Sequence, residues 1–207
     1  MADPPLIASG RSADVFDLGD GRVLRRRRDG DVFEHEIAAM RAAKAAGYPV
    51  PEVLEVRDTE VVFERVDGEE MVARLARRPW EIVRTGRELG ALHLRLAAVD
   101  ADLDGLPTRS EPVEVLIHGD LHPANVMLTD DGPVVIDWEG AGAGPRGDDA
   151  ATTWLLMTIA STDDVPAALR PLLPILRRLL LRGFFSVVDR PSPVSYTHLT
   201  LPTNREV

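Results

Sequence analysis

Residues 117 to 140, IHGDLHPANVMLTDDGPVVIDWEG, constrain this chain more than any other stretch, because they space three proton- and metal-handling groups between two short apolar strands. Leu116, Ile117 and His118 end the first strand. The turn Thr129-Asp130-Asp131-Gly132-Pro133 precedes the second, Val134, Val135 and Ile136. Asp120 and Asn125 therefore share one loop, and Asp137 leaves the end of the next strand. Moving a phosphoryl group from a nucleotide to a hydroxyl asks little covalent chemistry of a protein. It asks for a carboxylate near the acceptor hydroxyl and oxygen ligands for the magnesium on the phosphates. Asp120, Asn125 and Asp137 supply that set. A lone Asp and Asn on a loop make an ordinary turn, but the loop, the strand-end Asp and the later Gly-Pro-Arg-Gly-Asp stretch occur here in order. A metallohydrolase is the rival reading, since His118, Asp120 and His122 alternate as metal ligands sometimes do. It leaves Asn125 and Asp137 without work, and a His that closes a strand, like His118, reads as hydrogen-bonded scaffold.

HGDLHPAN resembles the catalytic loop of the aminoglycoside phosphotransferase and choline kinase-like family, which shares the protein-kinase fold, and IDW resembles its metal-binding Asp motif. The resemblance covers about residues 7 to 190. It implies an α+β, two-lobed protein-kinase-like fold: a small antiparallel-sheet lobe, residues 1 to 66, and a mainly helical lobe, residues 67 to 192. It also implies Asp120 as the catalytic base, Asn125 and Asp137 as Mg2+ ligands, and ATP or GTP as the phosphoryl donor. His122 stands where many protein kinases carry a phosphate-facing Lys. GPRGDDAA resembles the family's G-x-P-x-x-D-x-A element, in which Asp148 would brace the loop through backbone hydrogen bonds.

The upstream chain offers the parts of a nucleotide site. Ile7 to Phe16 is a small-residue loop between apolar flanks, containing Gly10 and Ser12, and the turn Gly19-Asp20-Gly21 joins it to the strand from Arg22, so the region reads as a β-hairpin. Backbone N–H groups of such a loop approach phosphates closely, and its position resembles the family's nucleotide-covering loop. The family carries a Lys on the next strand, paired with a helix Glu, whereas this strand is GRVLRRRR. Val23 and Arg25 share a face by alternation, so with Val23 against the adenine Arg25 takes the Lys position, Arg26 being the register-shifted alternative. Arg is a bidentate, permanently charged phosphate ligand, though bulkier than Lys. Two of the four arginines 25 to 28 are expected to be solvated. An amphipathic helix opens over 31 to 36, with Phe33, Ile37 and Met40 apolar, and ends at Gly47. Glu36 is the expected partner of Arg25, with Glu34 the alternative. Val53 to Val56 and Thr59 to Glu64 read as paired strands. Glu64-Arg65-Val66-Asp67-Gly68 resembles the family's hinge, whose backbone groups bond the adenine edge.

The charge, 24 basic against 34 acidic residues or −10, argues against nucleic acid as a partner and agrees with a cationic acceptor. The absence of cysteine excludes a disulfide scaffold, and Met1-Ala2-Asp3-Pro4-Pro5 is no secretion signal, so a cytoplasmic protein is expected. The greasy stretch 169 to 188 holds four arginines and two prolines, which predicts a packed helix over 172 to 185, not a membrane span. Trp80 to Ala98 reads as a helix with Ile82, Val83, Leu89, Leu92 and Leu96 inward and His93 as a satisfied core residue. Asp148 to Ser161 reads as another, with Trp154, Leu155 and Met157 buried. Val194 to Thr203 is similar to the read-through translation of a sequencing-library adapter, so residues 193 to 207 are expected to be non-native and the native chain to continue past Ser192. The implied activity is phosphorylation of a hydroxyl on a small molecule: an aminoglycoside, an amino alcohol or a sugar. A nucleotide-binding protein without turnover is the alternative, motivated by Arg25 in place of Lys. The sequence encodes no visible oligomeric state.

Overall fold

The computed structural model describes residues 4–10, 12–28, 34–57, 59–159 and 170–190. The chain folds as two lobes. The first is a five-stranded antiparallel sheet of β1 (Leu6–Ser9), β2 (Ala13–Gly19), β3 (Arg22–Arg27), β4 (Val53–Arg57) and β5 (Glu60–Glu64), in the order β1-β2-β3-β5-β4. Helix α1 (Glu34–Ala45) joins β3 to β4 and buries Ile37, Ala39, Met40 and Ala43. The predicted helix start over 31 to 33, Phe33 included, lies outside the described residues.

Strand alternation decides the four-arginine run. Arg25 and Arg27 face the other lobe with 15% and 11% of their side chains exposed, while Arg26 and Arg28 point outward at 37% and 46%. Arg26 stacks over Phe16, 5.0 Å from the ring centroid, and bonds Glu60 at 2.6 Å.

The second lobe begins with the short strand β6 (Glu69–Glu70) and helix α2 (Met71–Arg77), followed by α3 (Ile82–Ala97). A two-stranded ladder pairs β7 (Val115–Ile117) with the later β10 (Gly142–Gly144), and between them the hairpin β8 (Val126–Thr129) and β9 (Gly132–Val135) pairs with β6. Helices α4 (Asp148–Ile159) and α5 (Leu173–Phe184) complete the described lobe. Helices α3 and α5 approach at backbone distance, since a Cβ on Gly86 would lie 2.2 Å from the Leu180 carbonyl oxygen and one on Gly183 2.2 Å from that of Val83. One apolar cluster runs from Ile37 and Met40 on α1 through Trp138 to Leu89, Leu92 and Phe184, so the lobes share a core.

Two expectations about the helical lobe differ from the structure. Trp154, Leu155 and Met157 are half-buried, and Trp154 lines a groove of about 960 Å³ with Phe185 and the arginines 177, 178 and 182. His93 is buried as expected but bonded on one side only. The Thr153 hydroxyl donates to the Leu121 carbonyl, so its oxygen accepts from His93 Nε2 at 3.2 Å, and Nδ1 has no hydrogen-bond partner among the described residues. The expected non-native segment from residue 193 lies outside the described residues. Among the described residues no helix is long and apolar enough to cross a membrane.

Burial pushes the His93 imidazole from 6.5 down to about 3. Between those values the unfolded chain takes up a proton that the folded chain refuses, so stability is full above pH 6.5 and is lost as the pH falls toward 3. Wild type should therefore lose stability relative to His93→Leu by up to about 1.4 kcal/mol per pH unit below that point. Denaturant unfolding of both proteins from pH 7 to pH 4 checks this, and parallel curves would refute it.

Candidate active site

The loop after β7 is built on backbone bonds to buried side chains. The Asp149 carboxylate, near the start of α4, accepts the N–H groups of His118 and Gly119, both at 2.7 Å. This corrects the expectation that Asp148 braces the loop. Asp148 points the other way and accepts from the Ser110 hydroxyl. The two lie about 100° apart around the helix, so only one can face the loop. Burial raises the Asp149 carboxyl from 3.8 to about 6, against the lowering effect of the two amides.

Gly119 has φ +80, and a Cβ there would lie 2.4 Å from the Gly140 carbonyl oxygen, so the position requires glycine. His118 is fully buried; its Nε2–H donates to the Ile136 carbonyl at 3.1 Å and its Nδ1 accepts the Asp120 N–H at 3.3 Å. Burial holds its pKa down near 4. With both ring nitrogens committed to the backbone, His118 has no lone pair for a metal. The metallohydrolase reading fails there, because it needs a free ring nitrogen on His118.

Asp120 and Asn125 come together on this loop. The Asn125 amide N–H group donates to the Asp120 carbonyl at 2.9 Å and to Asp120 Oδ2 at 3.3 Å, which leaves the amide oxygen as its coordinating atom. His122 Nδ1 accepts from Ala124 N at 3.2 Å, which places the ring proton on Nε2, 3.4 Å from Asp120 Oδ1. The His122 ring therefore faces Asp120.

Asp137 leaves β9 one residue after Ile136, whose N–H bonds the Asn125 carbonyl at 3.0 Å. Its φ of +61 is a left-handed conformation uncommon outside glycine. The turn sends the Asp137 side chain outward, 48% exposed, and the next side chain, Trp138, inward to complete burial. Trp138 Nε1 donates to the Val135 carbonyl at 3.0 Å, and its ring packs on Tyr48 and His118 with centroids 5.8 and 4.8 Å away.

From the sheet lobe, Arg25 reaches across. It pairs with Glu36 of α1, and its Nη2 lies 3.5 Å from Asp137 Oδ1 and 3.4 Å from Glu139 Oε2. The alternative partner Glu34 is exposed. Burial lifts the Glu36 carboxyl from 4.5 to about 7, with Arg25 pulling it down. Gly10 donates its N–H to the Ala13 carbonyl at 2.9 Å in the β1–β2 turn, and the Ser12 hydroxyl donates to Glu139 Oε2 at 2.8 Å. Glu64 ends β5 with its side chain exposed, and Val66 is half-buried in the passage to β6. These two are not part of the ionic cluster.

Sequence reasoning assigned no role to Arg27, Glu139 or Asp149. Strand alternation with Arg25 would have pointed to Arg27. Nothing local distinguishes Asp149 from Asp148.

The fold and this loop are those of a phosphotransferase built on the protein-kinase plan. The sequence matches the family model described as a phosphotransferase enzyme family over residues 5–114 and 111–179, and the chain belongs to that family. None of the curated proteins compared with the chain matches it significantly. Among solved structures it is similar to a choline/ethanolamine kinase family protein from Mesorhizobium loti, with a TM-score of 0.58 and 20% identity over 90% of this chain and 71% of that one. It is also similar to an aminoglycoside-3'-phosphotransferase of type VIII, with a TM-score of 0.61 and 21% identity over 94% and 88%. A third, the ADP-bound aminoglycoside phosphotransferase APH(2'')-Ib, gives 0.62 and 15% over 86% and 76%.

Asp149→Ala would strand two buried N–H groups, and the expected loss of stability is about 3 kcal/mol. Asp148→Ala removes one half-buried hydrogen bond and should cost about 1 kcal/mol. Equilibrium unfolding in urea ranks the two, and the reverse order would return the bracing role to Asp148.

Proposed function

We propose that the protein transfers the γ-phosphoryl group of ATP or GTP to a hydroxyl of a small molecule. The observation that carries this reading is the pairing of Asn125 with Asp120 on a loop whose Asn125 carbonyl bonds Ile136 N, next to Asp137, which Arg25 of the other lobe meets at 3.5 Å. Asp120 accepts the proton of the acceptor hydroxyl as its oxygen bonds to the γ-phosphorus and the bond to the leaving nucleoside diphosphate breaks. Its carboxylate is 45% exposed, open to a substrate, with His122 Nε2 3.4 Å from one of its oxygens.

The residues present suit Mg2+. Asn125 keeps an oxygen free, Asp137 projects an exposed carboxylate, and the cleft sets the carboxylates of Asp120, Asp137 and Glu139, with Glu36 buried behind them, against two guanidiniums. A magnesium ion held by one or two protein ligands takes the rest from phosphate oxygens and water. Bound there by Asn125 and Asp137, it would neutralise charge on the transferred group. Gly10, Ser12, Arg25, supported by Glu36, and His122 would hold the phosphates, and the Glu64–Val66 passage would offer backbone groups to the base.

Chemistry and similarity together support one acceptor class. An acidic chain with an exposed Asp at its loop suits a cationic hydroxylated acceptor, and the similar structures are of choline/ethanolamine and aminoglycoside kinases. An aminoglycoside-like compound, an amino alcohol or an amino sugar fits; the ADP in one similar structure supports the nucleotide.

Asp137→Ala should lose the magnesium-dependent part of the thermal shift produced by ATP, while Asp120→Asn keeps that shift and loses about 10²- to 10⁴-fold in transfer rate to a hydroxylated acceptor. Transfer by Asp120→Asn at the wild-type rate would remove it as the base. Nucleotide binding with no transfer by wild type to any acceptor of these classes would favour the binding protein without turnover. Arg25→Ala should weaken ATP far more than adenosine, and Arg25→Lys should retain activity. Equal losses for ATP and adenosine in Arg25→Ala would make Arg25 a scaffold residue.

A further inference from the structure

The Glu139 carboxylate is the point on which three donors of the sheet lobe converge. Ser12 Oγ donates to Oε2 at 2.8 Å, Arg25 Nη2 lies 3.4 Å from the same oxygen, and Arg27 Nη2 lies 3.5 Å from Oε1. Ser12 sits in the turn between β1 and β2, and the two arginines share one face of β3. Two guanidiniums and a hydroxyl closing on one anion form the donor set with which proteins hold phosphate oxygens. The arginine side chains are sunk in the cleft, whereas Glu139 reaches them from its exposed side at 41%. A carboxylate there compensates charges that would be costly to leave unpaired out of water.

We propose that Ser12, Arg25 and Arg27 form the polyphosphate site of the donor, and that Glu139 fills it as an internal anion, latching the lobes until donor phosphates displace it. The proposal rests on the nucleotide-binding reading above. It adds Arg27 as a phosphate ligand and makes Glu139 a competitor of the donor. A polyphosphate carries several negative charges against the single charge of Glu139, so Coulomb attraction to the same guanidiniums favours exchange. Adenosine reaches none of these donors, so its binding leaves the latch shut.

Calorimetric titration of the full chain with ATP, inorganic tripolyphosphate and adenosine tests this, in EDTA so that metal loading plays no part. Glu139→Gln should bind ATP and tripolyphosphate about tenfold more tightly than wild type, equivalent to ~1.4 kcal/mol, with adenosine unchanged. Arg27→Gln should bind ATP several-fold more weakly, again with adenosine unchanged. These opposite signs are not expected if the residues only support the fold. The latch is overturned if Glu139→Gln binds ATP no more tightly than wild type, or tightens ATP and adenosine alike. Glu139→Gln alters a half-exposed side chain and carries the test by itself if Arg27→Gln does not fold. Should neither wild type nor Glu139→Gln bind ATP, the nucleotide reading falls and the latch with it; ATP binding by wild type without a gain in Glu139→Gln sinks the latch alone.

Discussion

Two backbone N–H groups, those of His118 and Gly119, point into the body of the helical lobe, and the buried Asp149 carboxylate accepts both at 2.7 Å. Each would be expensive to leave unpaired out of water. The pair of bonds sets where the loop leaves β7, and the left-handed turn at Gly119 then directs Asp120 toward the cleft. Every later contact of the loop depends on that start: His118 Nδ1 accepts from Asp120 N, the Asn125 amide bonds the Asp120 carbonyl, and the Asn125 carbonyl receives Ile136 N. The chain that presents Asp137 is thereby hydrogen-bonded to the chain that presents Asp120. A buried carboxylate of α4 thus helps to fix the positions of two carboxylates in the cleft.

Trp138 plays the complementary part from the apolar side. A left-handed residue ahead of a fully buried indole is a strained arrangement that persists only when packing over-determines it. Tyr48 and His118 supply that packing, and Tyr48 belongs to the segment that follows α1. The position of the Asp137 carboxylate is therefore tied to the shared core, and the Arg25 contact is made between two elements that the core already holds in register.

Much of this was readable from residue order. The β2–β3 hairpin followed from the Gly-Asp-Gly turn, the β4–β5 pair from two β-branched runs, α3 from apolar spacing and α5 from an apolar stretch too rich in arginine and proline to span a membrane, because each is a local pattern. The α+β, two-lobed architecture followed from the motif resemblance and is the one observed. What escaped was what depends on rotation about a helix or on contacts across the lobes. Asp148 and Asp149 are equivalent as letters, and only the pitch of α4 decides which meets the loop. Trp154 reads as core by size and hydrophobicity, yet it lines a groove with Phe185 and the arginines of α5. Glu139 follows Asp137 by two residues and looks like a surface acid until β3 is brought opposite it.

That last contact explains how a chain with Arg in place of Lys can still build a polar cleft. A guanidinium has five donors in a fixed fork, more than one carboxylate satisfies. Arg25 accordingly gathers Glu36 behind it and Asp137 and Glu139 ahead of it, where a Lys ammonium would serve a single point. The exchange raises the number of acids the cleft can hold close together. It also increases the negative charge that remains once the arginines are paired, a pattern that suits the metal-bound polyphosphate proposed above, with anionic oxygens for the guanidiniums and a divalent cation for the carboxylates.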